Sequence, residues 1–169
     1  MLFSAPLALC GLTYNLGALG VLAVKVMFSS EQLAFLGEQR VGRLATVDAQ
    51  GQPHVVPVCY ACDGARIYIA LDAKPKRVAP EKLRRVRNIR ENPRVALVVD
   101  RYSDDWGELA FLLIQGAAAL IQPDNLQHAR AIALLRERYP QYRAMPIETL
   151  PAIAIEPSSV VGWQHDSQE

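Results

Sequence analysis

The chain has 169 residues, of which 51% are hydrophobic and 21% charged, and its formal net charge is +1. This length and composition predict one folded domain with a sizeable core and exclude a disordered chain. The three cysteines are too few for the disulfide framework of a small secreted domain, so we expect a cytoplasmic protein.

The first 28 residues differ in composition from the rest, because they contain no acidic residue and a single basic one, Lys25. An apolar stretch of this length can be a membrane anchor or a signal, although it lacks the basic start of a signal peptide and glycine and proline interrupt it. A third alternative is a natural start at Met27, directly before a complete helix start. We therefore separate a hydrophobic extension, residues 1–27, from a folded domain, residues 28–169.

The domain is predicted to begin with a short helix and three antiparallel strands. Ser29 suits the N-cap position with Gln32 as its capping-box partner, and the helix ends near Gly37. Turns at Gly51 and at Asp63-Gly64 separate runs rich in β-branched and aromatic residues, the pattern of successive hairpins. The predicted strands are Arg43–Asp48, His54–Tyr60 and Arg66–Leu71.

A basic segment follows the third strand. Residues 74–94 carry nine of the eighteen Lys and Arg residues against two acidic ones, a net charge of +7, whereas the rest of the chain has a net charge of −6. Such a concentration of charge attracts anions, so a phosphate-bearing partner is the first candidate and a solvated helix face is the alternative. Nucleic acid is not expected, because the segment has no aromatic residues that could stack on bases.

The same segment predicts a helix that runs to about Glu91. Pro80 can occupy a first helical turn, and Asn92-Pro93 ends the helix. Apolar residues recur at every third position and predict a buried stripe of Leu83, Val86 and Ile89.

The polar side of this helix could bind an anion. Arg84 and Arg85 precede Asn88 by four and three residues, so a cation and an amide can face away from the core together. Lys74 and Lys76, in the loop before the helix, would lie near the positive end of its dipole, where an anion is favoured. These five residues are the candidate phosphate contacts.

The remaining elements complete a mainly β protein. A strand from Arg94 to Asp100 precedes a long strand from Glu108 to Ile121, in which Gly116 predicts a bulge or bend. A helix from Asp124 to Arg138 is followed by a last strand from Ile153 to Val161. Six strands without βαβ alternation predict a closed or partly closed antiparallel barrel.

Common catalytic motifs are missing from the sequence. Cys59 and Cys62 have CxxC spacing at a strand end without a second pair, so we expect two partly buried thiols rather than a redox or zinc site. His54, His128 and His165 stand in unlike contexts, and we expect each to be structural or solvated. Without a GxGxxG or Walker motif, side chains would have to bind a phosphate. We therefore assign no catalytic residue and no metal ligand.

Several motifs, in one order along the chain, carry a resemblance to a known family. They are Arg43-Leu-Ala-Thr-Val-Asp48, Gly51-Gln-Pro-His-Val-Val-Pro57, Lys74-Pro-Lys76, the segment Leu83–Asp100 with its Arg-Asn-Ile-x-x-Asn-Pro-Arg-Val pattern, and Asp104-Asp105-Trp106. Residues 28–164 thereby resemble the pyridoxamine 5′-phosphate oxidase-like split β-barrel proteins, in the branch that uses the deazaflavin coenzyme F420.

The resemblance implies a six-stranded antiparallel split β-barrel of the FMN-binding type with peripheral helices. It also implies a homodimer that holds a flavin-type cofactor in a groove at the subunit interface. Basic residues would hold the cofactor phosphate, strand residues would pass beside its ring, and an aromatic residue of the other subunit would cover it. The implied contacts are Lys74, Lys76, Arg84, Arg85 and Asn88 for the phosphate, Val56, Pro57 and Val58 for the ring, and Trp106 for the cover.

The function implied is an F420-dependent oxidoreductase that transfers a hydride between reduced deazaflavin and a small electron-poor organic substrate. Two alternatives remain: an FMN-dependent oxidoreductase of the same fold, and a non-catalytic flavin- or haem-binding protein. The cofactor supplies the redox chemistry in these enzymes, while the protein binds, orients and excludes water. A membrane is expected as a partner only if residues 1–26 are a genuine anchor.

Overall fold

The computed structural model describes residues 26–71 and 82–164. Most of the predicted N-terminal extension, and Lys74, Lys76 and His165, lie outside the described residues. The strands are β1 (Gly42–Val47), β2 (Pro53–Val58), β3 (Ala61–Cys62), β4 (Ile67–Ala70), β5 (Arg94–Arg101), β6 (Ala110–Ile121) and β7 (Ala152–Gln164). The helices are α1 (Ser30–Glu38), α2 (Arg84–Glu91) and α3 (Leu126–Arg138), with 3₁₀ turns at Trp106–Glu108, Pro140–Arg143 and Ile147–Thr149.

All described strands form one curled antiparallel sheet in the order β2-β1-β5-β6-β7-β4-β3. The predicted fold class, a mainly β split barrel with peripheral helices, is confirmed. The predicted number of six strands is wrong, since the described residues form seven. The additional strand is β3, which pairs with β4 over only two residues. A strand this short carries no readable alternation of apolar and polar residues.

Two local predictions are confirmed. The Ser29 hydroxyl accepts from the Gln32 backbone N–H at 3.2 Å, and the Gln32 side chain accepts from the Ser29 N–H at 3.0 Å, which completes the capping box. The pairing of β6 with β7 shifts register between Gln115 and Gly116, so the bulge lies where the glycine predicted it.

The main core fills the inner face of the curled sheet. Leu44, Leu97 and Ile114 line this face on three neighbouring strands and are fully buried. Helix α2 packs against it through Val86 and Ile89, which are 0% and 4% exposed, so the predicted apolar stripe is confirmed. The stripe fixes which way the arginines of α2 can point.

A second core covers the opposite face at the other end of the sheet. Tyr68 of β4 and Ala154 of β7 are register partners, and both are buried beneath α3 residues Ile132 and Leu135.

In the described residues, no helix is long and apolar enough to cross a membrane.

Strands β2, β1, β5, β6 and β7 present an open, apolar surface on the side opposite to the main core. One row of register partners crosses five strands: Pro57, Arg43, Val98, Leu113 and Val161. Among its neighbours, Val55 is 59% exposed, and Trp163 stacks on Phe111 with ring centroids 5.9 Å apart while remaining 47% exposed. We call this surface the outer face.

Candidate functional site

Helix α2 is attached to the sheet by a chain of hydrogen bonds. The Asn88 side-chain amide donates to the Thr46 hydroxyl at 3.1 Å, and that hydroxyl donates to the backbone carbonyl of His54 at 3.3 Å. Asn88 and Thr46 are 2% and 3% exposed. The expectation that Asn88 faces away from the core is therefore wrong, since the structure places it beneath the helix as part of the scaffold.

Arg84 lies on the exposed side of α2 and pairs with the turn between β1 and β2. Its guanidinium is 3.3 Å from the Asp48 carboxylate. The same carboxylate accepts from the backbone N–H groups of Gln52 at 2.8 Å and Gln50 at 3.1 Å. The hydrogen bond from the Gln52 N–H is the main reason that the pKa of Asp48 lies below its ordinary value. Gln50 and Arg84 lower this pKa by smaller amounts. The sequence carried a signal for the backbone contacts of Asp48, because an Asp at a turn commonly accepts from backbone N–H groups two residues on. It carried no local signal for the ion pair with Arg84, which is 36 positions away.

A small pocket of about 180 Å³ opens beside this ion pair. Two arginines and two carboxylates line it, so their formal charges cancel and the pocket does not select an anion by charge. Its lining residues are Asp48, Gln50, Arg84, Arg87, Asn88 and Glu91.

Two arginines of α2 act on His54 of the edge strand β2. His54 is the register partner of Thr46, so both side chains lie on the face of the sheet that α2 covers. The pKa of His54 is lowered mainly by burial, and the charges of Arg84 and Arg85 lower it further. We call Arg84, Arg85 and this partly exposed imidazole the cationic cluster, after the charges of the two arginines.

Sequence reasoning gave His54 only a structural or solvated role. The alternation within β2 was the available signal, because it places His54 on the same face as Val56 and Val58. What the sequence lacked was the position of α2 over that face.

The predicted ring contacts on β2 are divided between its two faces. Val58 is 7% exposed and packs in the main core, and Val56 packs against the same core from a half-buried position. Pro57 points to the outer face, where it is the register partner of Arg43.

Trp106 lies far from the cationic cluster within one chain. It is 71% exposed in the 3₁₀ turn that comes after β5, whereas α2 comes before β5. An eight-residue strand is about 26 Å long at 3.3 Å per residue, and it separates the two. The structure therefore brings Arg84, Arg85 and His54 together and does not bring Trp106 to them in the same subunit.

The cysteines and His128 have structural surroundings. Cys59 and Cys62 are free thiols, and burial raises the pKa of Cys62 to about 11. His128 is on the buried side of α3, with its Nε2 atom 2.8 Å from the Leu150 carbonyl oxygen. Across residues 26–71 and 82–164, no group of three or more His, Cys, Asp and Glu residues is placed to hold a metal ion.

Part of the chain is similar in sequence to a known reductase. Over 73 residues the chain is 40% identical to the 5a,11a-dehydrotetracycline/5a,11a-dehydrooxytetracycline reductase of Streptomyces rimosus, an alignment that covers 43% of this chain and 49% of that protein. The aligned part thus spans about half the length of that relative.

Two solved structures show the same fold. The conserved hypothetical protein Rv2991 from Mycobacterium tuberculosis has a TM-score of 0.65 and 23% identity over 83% of this chain and 86% of its own. The heme storage protein HutZ from Vibrio cholerae has a TM-score of 0.64 and 19% identity over 82% of this chain and 95% of its own.

The family model described as pyridoxamine 5′-phosphate oxidase matches residues 28–163, which is nearly the whole of the folded domain. The match includes β1, β2, α2 and the cationic cluster between them. The chain therefore belongs to the pyridoxamine 5′-phosphate oxidase family.

Proposed function

We propose that this protein is an oxidoreductase that binds coenzyme F420 and transfers a hydride between the reduced deazaflavin and a small electron-poor organic substrate. The observation that carries the proposal is the 40% identity to a reductase of dehydrotetracycline. Membership of the pyridoxamine 5′-phosphate oxidase family and the cationic cluster of α2 support it.

The cluster fits the phosphate of such a cofactor. Arg84 and Arg85 both act on the His54 imidazole, so the positive charge of both side chains reaches the edge strand β2. Arg84 also pairs with Asp48, but a guanidinium has five N–H donors and can serve a carboxylate and a phosphate together. Arg85 and Arg84 are the proposed phosphate contacts, with Lys74 and Lys76 as predictions outside the described residues.

The ring system is proposed to lie along β2. In the described sheet this strand is an edge, paired with β1 alone, so its backbone groups face a possible ligand. Val56 and Pro57 would offer apolar contact, and the Val58 contribution would come from its backbone. When bound, the reduced cofactor supplies the hydride, while the chain orients the ring and keeps water from it.

A homodimer is proposed to complete the site. The outer face presents exposed apolar side chains, including Val55 at 59%, Val161 at 52% and Trp163 at 47% exposure. A continuous apolar surface of this kind is the usual mark of a protein interface. Arg43 and Asp100 form an ion pair on this surface, so each copy brings both signs of charge to a symmetric contact. Trp106 is proposed to cover the cofactor of the partner subunit.

The experiment is a titration of the purified full-length chain with F420, FMN and haem, followed by turnover of reduced F420 with a panel of conjugated enones and quinones. The expected results are tighter binding of F420 than of FMN or haem, and acceptor-dependent oxidation of reduced F420. A clear preference for FMN would overturn the cofactor assignment. Tight F420 binding without hydride transfer to any acceptor would favour a non-catalytic carrier.

A further inference from the structure

We propose that His54 is a third anion-binding side chain of this site, which becomes charged and donates a hydrogen bond when the anion binds between it and the two arginines. The affinity for the cofactor would then increase as the pH falls. This inference rests on the proposed function in one respect, since it takes the cofactor phosphate as the anion.

The position of His54 follows from the register of two strands. It is opposite Thr46 in the β1–β2 pair, and the Thr46 hydroxyl donates to the His54 carbonyl at 3.3 Å. Thr46 in turn accepts from Asn88 of α2 at 3.1 Å. The backbone of His54 is thus held by the same hydrogen-bond chain that positions α2, so the Cα atoms of His54 and of the two arginines keep a fixed spatial relation.

The position is also accessible. His54 is half-exposed in the edge strand β2, whereas its register partner Thr46 is 3% exposed. An anion can therefore approach the imidazole and the guanidinium groups along the β2 edge of the sheet. Neutral imidazole offers one N–H donor, and imidazolium offers two together with a positive charge.

The charges around His54 determine the sign of the effect. From α2, Arg84 and Arg85 lower its pKa after burial, and from the β1–β2 turn Asp48 partly balances Arg84; Thr46 of β1 is uncharged. The imidazole is therefore mainly neutral near pH 7 without ligand. A bound anion offsets the two arginines, raises the pKa of His54, and is itself bound more tightly at lower pH.

The first test is an NMR titration of the histidine side chains from pH 5 to pH 8, with and without sulfate, whose charge is constant in this range. We expect saturating sulfate to raise the pKa of His54 and to leave the ring signals of His128 in place at a given pH, since that imidazole is buried with its Nε2 atom 2.8 Å from the Leu150 carbonyl oxygen. An identical His54 titration curve with and without sulfate would overturn the inference.

The second test compares F420 affinity across the same pH range in the wild type, His54→Gln and His54→Ala. Each rise of one in the pKa of His54 corresponds to about a tenfold gain in affinity below that pKa. His54→Gln retains a hydrogen-bond donor but does not titrate. We expect the ratio of the wild-type affinity to the His54→Gln affinity to increase about tenfold from pH 8 to pH 5.5. The comparison removes any titration of F420 itself, and urea unfolding of each variant checks that it is folded.

The outcomes separate this inference from the proposed function. If F420 binds but the wild type and His54→Gln have the same pH profile, the role of His54 is wrong and the cofactor assignment stands. If sulfate shifts the pKa of His54 but F420 does not bind at any pH, the anion site stands and the cofactor assignment fails.

Discussion

The side-chain amide of Asn88 on α2 donates a hydrogen bond to the hydroxyl of Thr46 on β1, across a distance of 3.1 Å and with both residues almost fully buried. This contact, rather than an exposed polar face, explains an asparagine at this position of an otherwise basic helix. It sets the height and rotation of α2 over the sheet, and hence where Arg84 and Arg85 lie.

Asn88→Ala is expected to lower the free energy of unfolding by about 1–3 kcal/mol, because the buried Thr46 hydroxyl loses its donor. The same variant should weaken F420 binding indirectly, by allowing α2 to shift. Urea unfolding and F420 titration measure the two effects. The matched control is Arg90→Ala, an exposed position on the same helix. Equal stability of Asn88→Ala and the control would contradict this role.

Gly116→Ala is expected to destabilise the protein by about 1–3 kcal/mol or more, through overpacking at the bulge. An added Cβ atom would overlap the Glu156 carbonyl oxygen and lie 3.0 Å from the Pro157 Cα atom, which are both backbone. Gly37→Ala is the control, since no atom lies within 4 Å of its added Cβ. In helix α1 that change should be neutral or stabilising by up to about 1 kcal/mol. Thermal unfolding that ranks the two variants in the opposite order would refute the assigned register.

Val55→Asp and Val161→Asp should convert the proposed homodimer to a monomer, because each places a charge in the outer face. Sedimentation velocity at micromolar concentration measures the change. Leu126→Asp serves as the control, because Leu126 is 91% exposed on α3, away from the outer face. Loss of the dimer in the control alone, or a monomeric wild type, would argue against the outer face as the interface.

The Cys62 thiol should react slowly with iodoacetamide in the folded protein. Burial raises its pKa from 9.0 to about 11, so the thiolate fraction at pH 8 falls by about a hundredfold. The test uses a Cys10→Ser, Cys59→Ser background and compares the folded chain with the same chain in urea. Because the folded pKa is the higher one, the stability linked to this proton is present below pH 9 and is lost as the pH rises toward 11. Equal alkylation rates in the folded and unfolded chains would show that the thiol is not buried.

The fold could be predicted where the signal was local. The capping box at Ser29, the two turns whose glycines have φ angles of 83° and 94°, and the apolar stripe of α2 each depend on neighbouring residues alone. The two-residue strand β3 was missed because two residues are too few to show a period.

The candidate site could be predicted only in part. A cationic helix is visible in the composition of residues 74–94, but the proximity of His54 to Arg84 depends on the β1–β2 register and on how α2 packs, which involve residues about 30 positions apart. The burial of Asn88 was missed for the same reason, since its acceptor Thr46 is 42 positions away. A polar residue in a basic helix gives no sign of such a partner.

The central claim is that the cations of α2 bind the cofactor phosphate, and isothermal titration of F420 into the wild type, Arg85→Ala and Arg90→Ala tests it most directly. A charge-assisted hydrogen bond to phosphate contributes about 1.5–3 kcal/mol, so Arg85→Ala should weaken binding by about tenfold or more. Arg90→Ala changes the net charge of the helix equally, yet should have little effect. An unchanged dissociation constant in Arg85→Ala, or an equal loss in both variants, would contradict the claim.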